Sequence, residues 1–194
     1  MLAELQQRIL TCNKCPRLRE VTPLPLAHIC FNDKPSIMTI GRNPGLEHSY
    51  SHINIEELND FYHKKWLISR YGKYLQKIFD LDFVKQHIFA CNICKCSSPK
   101  NTNLEQEEIN NCLEYLYEEI NIINPKIILI FGSEAAKALV ENFNYLKPFK
   151  FRNITTLVCR HPAYFLYARN EASEYHYEDQ ARALRSVRKF IEGV

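Results

Sequence analysis

The sequence is poor in glycine, with five in 194 residues. Gly41 and Gly45 are not spaced as a dinucleotide fingerprint or a P-loop, which excludes a nucleotide-binding loop of either kind. Long apolar runs are missing too. The longest, "IILIF" at 127–131, is a strand's length and far short of a membrane span. The start, "MLAELQQRIL", lacks a basic leader region and a cleavage site and reads as a helix. A soluble, cytoplasmic protein with no membrane partner is expected. Strong charge of one sign is also absent. A net charge of +3 permits a nucleic-acid partner without demanding one. Basic residues cluster at 70–77, 95–100 and 182–189, the last as the solvated face of a helix. There is no internal repeat and no low-complexity segment.

Cysteine, by contrast, is plentiful: there are eight. Without an export signal, a reducing compartment favours metal ligation over disulfides. Cys12 and Cys15 form a Cys-x-x-Cys turn, and Cys96 and Cys112 flank a "SSPKN" loop and the first turns of a helix. Together they form a four-thiolate set suited to zinc or an iron–sulfur cluster. Cys91 and Cys94 compete with Cys96 for the third position, while Cys30 and Cys159 read as small buried hydrophobes.

Apolar periodicity alternates between strand and helix. A first helix runs to about Thr11. Strands are expected at 37–41, 87–93, 127–131 and 154–159. Helices are expected over 68–81, from Asn103 or Thr102 to 123, after Ser133, and from about Tyr177 to Ile191, with one short helix from Ile55. The pattern predicts one α/β domain over 1–194, a three-layer sandwich with a four-stranded, mostly parallel sheet between helices. In such sheets the site lies beyond the carboxyl ends of the strands. Those ends are "GRNPG", "CNICKC", "FGSE" and "CRHPAYF".

Taken in order, "CNKCPRLRE", "GRNPG", "CNICKCSSPKN…EEINNC", "NPKIILIFG…AAKAL" and "HPAYFL" resemble the uracil-DNA glycosylase superfamily, above all its iron–sulfur-containing family 4. The resemblance covers roughly residues 10 to 185. It implies a structural [4Fe–4S] cluster on Cys12, Cys15, Cys96 and Cys112, pinning an N-terminal segment of about residues 10–20, with zinc as the lesser alternative. It also implies DNA as the partner of a monomeric enzyme that leaves an abasic site.

The departures from family 4 bear on substrate. Family 4 has Gly-Glu-Ala-Pro-Gly in the first motif; "GRNPG" is instead similar to the mismatch-specific and single-strand-selective branches. The family's base-stacking Phe is matched by Leu67, with Trp66 beside it.

Hydrolysing a pyrimidine's N-glycosidic bond requires a flipped nucleotide, a placed water and stabilisation of charge on the leaving base. The resemblance gives Asn43 the water, with Gly41, Pro44 and Gly45 shaping its turn. It gives His161 the O2 of the leaving base, and Asn92 the pyrimidine edge. An amide inside a strand is disfavoured on structural grounds alone, which favours recognition. Ala163, Tyr164 and Phe165 form the expected wedge into the base stack. Gly45 stands where strict uracil enzymes place a Tyr, so a C5-substituted pyrimidine fits. Arg42 and Glu47 are then within reach of such a substituent, or Arg42 of a phosphate.

The expected activity is a DNA glycosylase acting on uracil or a C5-modified pyrimidine in repair. The alternatives are an anti-phage glycosylase for hydroxymethylated or glucosylated cytosine, a non-catalytic reader of damaged or modified DNA, and a four-cysteine zinc or redox protein unrelated to DNA.

Overall fold

The computed structural model describes residues 1–45, 55–167 and 170–194. The chain runs α1 (Leu2–Leu10), α2 (Pro16–Arg19), β1 (His28–Cys30), β2 (Ile37–Gly41), α3 (Ile55–Ile68), α4 (Arg70–Phe79), α5 (Leu81–His87), β3 (Ile88–Asn92), a 3₁₀ turn (Pro99–Asn101), α6 (Gln106–Ile123), β4 (Ile127–Phe131), α7 (Ser133–Leu139), β5 (Phe149–Phe151), β6 (Ile154–Cys159), α8 (Pro162–Tyr167) and α9 (Glu171–Glu192). The sheet order is β1-β3-β2-β4-β6-β5.

The expectation of four mostly parallel strands is corrected. Among the described residues the sheet has six strands and is mixed. The four expected strands lie parallel to one another at its centre. Two short strands, β1 and β5, add antiparallel to β3 and β6 at the edges. Each edge strand is three residues long, too short for the period-two pattern to register.

Alternation along the central strands feeds two cores. Ile37, Ala90, Leu129, Phe131, Leu157 and Cys159 face one side and pack against residues of α3, α4, α5 and α9. Met38, Ile40, Phe89, Cys91, Ile128, Ile130 and Val158 face the other, against α6 and α7. Both faces are therefore dry, which is why the strands read as continuous apolar runs. Each fully buried Ile or Leu contributes about 1.5–3 kcal/mol.

Several helix boundaries differ from expectation. Helix α6 starts later than Asn103, because Glu108 accepts the Glu105 N–H at 2.8 Å and closes a capping box there. Helix α9 starts earlier than Tyr177, at an Asn170–Ser173 capping box. Helix α5 breaks away from α4 at Asp80, whose φ of 65° ends one helix while its carboxylate caps the next. Gly132, with φ of 98°, caps α7 in place of Ser133. Among the described residues, no helix is long and apolar enough to cross a membrane.

Candidate active site

The ends of the four parallel strands bring the motif residues to one edge. Gly41 and Asn92 are register partners on β2 and β3. A Cβ on Gly41 would sit 2.5 Å from Asn92 Oδ1, so the missing side chain is what admits the amide of Asn92. The pairing continues past the strands: Ile93 N–H donates to Gly41 O at 2.9 Å and Cys94 N–H to Arg42 O at 3.0 Å. The Asn92 carbonyl is held by Lys95 Nζ at 2.8 Å.

Asn43 lies one turn further. Its Oδ1 accepts from Arg42 Nε at 2.7 Å, and its Nδ2 donates to Pro44 O at 3.2 Å, with Ser98 Oγ at 3.5 Å. Pro44 is buried, and Ser97 Oγ donates to Gly45 O at 3.0 Å, which ties the turn to the "SSPKN" loop. The Arg42 guanidinium also bonds Asn101 Oδ1 at 2.9 Å and pairs with Glu134. Glu47 lies outside the described residues.

His161 follows β6. A Cβ on Gly132 would meet His161 Cβ at 3.4 Å, so the end of β4 passes directly beside it. His161 Nδ1 accepts from Ala163 N–H at 3.2 Å, which leaves the proton of the neutral ring on Nε2, free to donate. The residue keeps a solvent-exposed side at the mouth of the site, while the protein packed around the ring and then the Arg42 charge lower its pKa. The Tyr71 ring lies nearly parallel to the His161 ring, 6.2 Å away, and meets Phe131 edge-on at 5.2 Å. Tyr71 was legible in the sequence only as one residue of a helical apolar stripe.

The other expected contacts fall in different places. Trp66 is buried in the core, edge-on to Tyr71 at 5.9 Å, and Leu67 packs against the same core. Ala163, Tyr164 and Phe165 lie on the short helix α8, which is not among the expected helices. Phe165 stacks on Tyr74 at 5.9 Å, inward, whereas Tyr164 is partly exposed. Tyr164 belongs to a polar cluster that the sequence did not reveal. Arg160 stands 4.2 Å from the Tyr145 ring centre and contacts His176 Nε2 at 3.2 Å, and His176 Nδ1 contacts the Tyr164 hydroxyl at 2.9 Å. Because arginine only donates, Nε2 is the acceptor and the neutral His176 carries its proton on Nδ1.

On the opposite side of Lys95, Cys12, Cys15, Cys96 and Cys112 line one cavity together with Lys14, Arg19 and Tyr115. Cys94 does not line it; its Sγ lies behind, 3.7 Å from Cys112 Sγ. Cys91 faces the α6 side of the sheet, in the core. Among the described residues, no three His, Cys, Asp or Glu donors converge on a single-ion position. Burial pushes Cys15 up and Cys96 to about 12, while the hydrogen bond with Cys94 holds Cys112 down at about 7. Four thiols lining one cavity are a donor set that suits either zinc or an iron–sulfur cluster.

Comparison with known proteins shows the family. The family model of the uracil DNA glycosylase superfamily matches residues 29–185. A type-4 uracil-DNA glycosylase of Sulfurisphaera tokodaii is 27% identical over 184 residues, 87% of this chain and 77% of that one. Those of Saccharolobus solfataricus and Archaeoglobus fulgidus are 30% identical over 58% of this chain and 48% of theirs, and 24% identical over 74% and 65%. The crystal structure of SMUG2 from Pedobacter heparinus overlaps 80% of this chain and 77% of its own at TM-score 0.47 and 10% identity, too distant to carry an argument. The relatives carry the type-4 name, the branch to which the cysteine motifs pointed. The chain belongs to the uracil-DNA glycosylase superfamily, and so to the DNA glycosylases.

Proposed function

We propose that this glycosylase hydrolyses the N-glycosidic bond of uracil or a C5-modified pyrimidine in DNA and leaves an abasic site. The observation that carries the reading is the convergence at one sheet edge of Asn92 over Gly41, Asn43 in the next turn, and His161 beside Gly132. Asn92 presents an amide to the pyrimidine edge. Asn43 Oδ1 retains a lone pair that orients the attacking water. His161 Nε2–H donates to the base O2 as negative charge grows there, in a site that keeps the imidazole neutral. Tyr164, the exposed ring of α8, is the better candidate for the wedge that fills the vacated stack, since Phe165 is committed to the core.

Cys12, Cys15, Cys96 and Cys112 would hold a [4Fe–4S] cluster. When bound, it supplies a cross-link between the N-terminal segment and α6. The partner is DNA, and the enzyme acts as a monomer.

The test is strand cleavage by alkali after incubation with two labelled DNAs, one carrying uracil and one glucosylated hydroxymethylcytosine. Breaks on uracil that vanish in Asn43→Ala make it a repair enzyme. Breaks on the modified DNA alone make it an anti-phage glycosylase, with side-chain-free Gly45 admitting the C5 group. Binding without breaks on either would leave a reader and overturn the enzyme reading.

A further inference from the structure

We infer that Arg42 is a positioning residue that locks the amide of Asn43 in the one orientation useful for placing water, rather than a substrate contact. The inference rests on the proposed role of Asn43. An asparagine amide can ordinarily flip, because its two ends are nearly the same shape. Here the chemistry of the partners leaves a single choice. Guanidinium only donates, so the atom 2.7 Å from Arg42 Nε must be oxygen. A carbonyl only accepts, so the atom 3.2 Å from Pro44 O must be nitrogen. One lone pair of Oδ1 is thus spent on Arg42, and the other remains for water.

The lock is itself held. Each guanidinium nitrogen has its own acceptor: Nε has Asn43, one terminal nitrogen has Asn101 at 2.9 Å, and the other has Glu134. These acceptors come from the turn after β2, the 3₁₀ turn and the first turn of α7, so the planar fork spans three segments. Glu134 also balances a positive charge that would otherwise oppose the cationic sugar of the transition state. An arginine so engaged has committed its single Nε–H to Asn43 and one N–H of each terminal nitrogen to Asn101 and Glu134, so swinging the fork toward a ligand costs Asn43 its partner.

The experiment compares wild type, Arg42→Met, Arg42→Lys and Glu134→Gln. It measures single-turnover excision, DNA affinity at two salt concentrations, and the Asn43 side-chain amide resonances of the DNA-free protein. Arg42→Met is expected to lower the excision rate by about tenfold or more while Kd stays within about twofold. Its Asn43 amide pair should move and exchange faster. Arg42→Lys should rescue little, since a point ammonium cannot serve three acceptors in a plane. Glu134→Gln should fall between, and carries the test if Arg42→Met is poorly folded. An unchanged rate overturns the inference. So does a loss confined to Kd with the salt slope reduced by about one, the mark of a phosphate contact. If wild type excises no base, the functional reading fails, while unaltered Asn43 resonances in Arg42→Met would separately dismiss the lock.

Discussion

The side-chain oxygen of Asn92 occupies space that a Cβ on Gly41 would need, 2.5 Å from it. The obstructing atom is the tip of a side chain, not backbone, so a larger residue at 41 displaces the amide rather than the strand. Gly41→Ala is therefore expected to change the melting temperature by only a few degrees, within about 1 kcal/mol, while lowering kcat/KM about a hundredfold. Thermal melts beside steady-state excision separate the two. A large loss of stability with normal excision per folded molecule would contradict it.

Gly72 makes the opposite case. A Cβ there would stand 2.1 Å from the carbonyl oxygen of Trp66, which is backbone at the α3–α4 junction. The Gly72 N–H is also capped by Ser69 Oγ at 3.1 Å, so the junction has little room to shift. Gly72→Ala should cost about 2–3 kcal/mol as overpacking, read from urea unfolding.

Lys95 and Glu119 form a buried ion pair at 2.6 Å, both almost fully inaccessible. His28 Nδ1 lies 3.7 Å from the other carboxylate oxygen, and both atoms are buried. Lys95→Met strands a carboxylate in the interior and should cost about 3–5 kcal/mol, much of it restored in Lys95→Met/Glu119→Leu. Both are measured by chemical denaturation. Because Lys95 also holds the Asn92 carbonyl, excision by the double variant should stay impaired even where stability returns.

Cavity lining separates the cysteines. Cys96→Ser is expected to lose bound iron and its visible absorbance, as would Cys12→Ser, Cys15→Ser and Cys112→Ser. Cys94→Ser and Cys91→Ser should keep both. Iron retained in Cys96→Ser but lost in Cys94→Ser would reassign the third ligand.

His63, His87 and His161 all have pKa values lowered chiefly by burial. In the unfolded chain an imidazole titrates near 6.5. As pH falls below that value toward the lower folded values, the unfolded state takes up protons that the folded state refuses. Stability is thus full above about pH 7 and is lost on acidification through and below about 6.5. A melting temperature that rises between pH 7 and 5.5 would count against this. The Arg42 charge and the Tyr71 ring face His161, so Arg42→Met should raise its titration midpoint by NMR.

What the sequence conveyed and what it withheld follow from how each feature is encoded. The four central strands are buried on both faces, and their apolar runs announced them. The strand-end turns carried Asn43, Asn92 and His161 because "GRNPG", "CNICKC" and "RHPAYF" break the apolar pattern where a parallel sheet gathers its loops. Strands β1 and β5 were missed because three residues hold barely one period. Helix α8 was not among the expected helices, because its proline start and six-residue length look like a turn. The engagement of Arg42 was invisible, since its partners Asn101 and Glu134 lie far along the chain. The same holds for the Arg160–His176–Tyr164 cluster, and for the inward turn of Phe165 set against the outward turn of Tyr164.

The brevity of those two edge strands has a further consequence, for how copies of the chain behave in company. An exposed edge is a row of unpaired peptide groups, a template for the next molecule's strand. Here one rim is the three residues of β1, where the Cys30 N–H is turned to His63 Nε2 at 3.4 Å. The other is the three residues of β5, with Lys150 at its centre and positive-φ Arg152 and Asn153 twisting the chain away at once. Neither rim is long enough to recruit a neighbouring strand. Short edges guard this strongly apolar sheet against stacking edge to edge into aggregates.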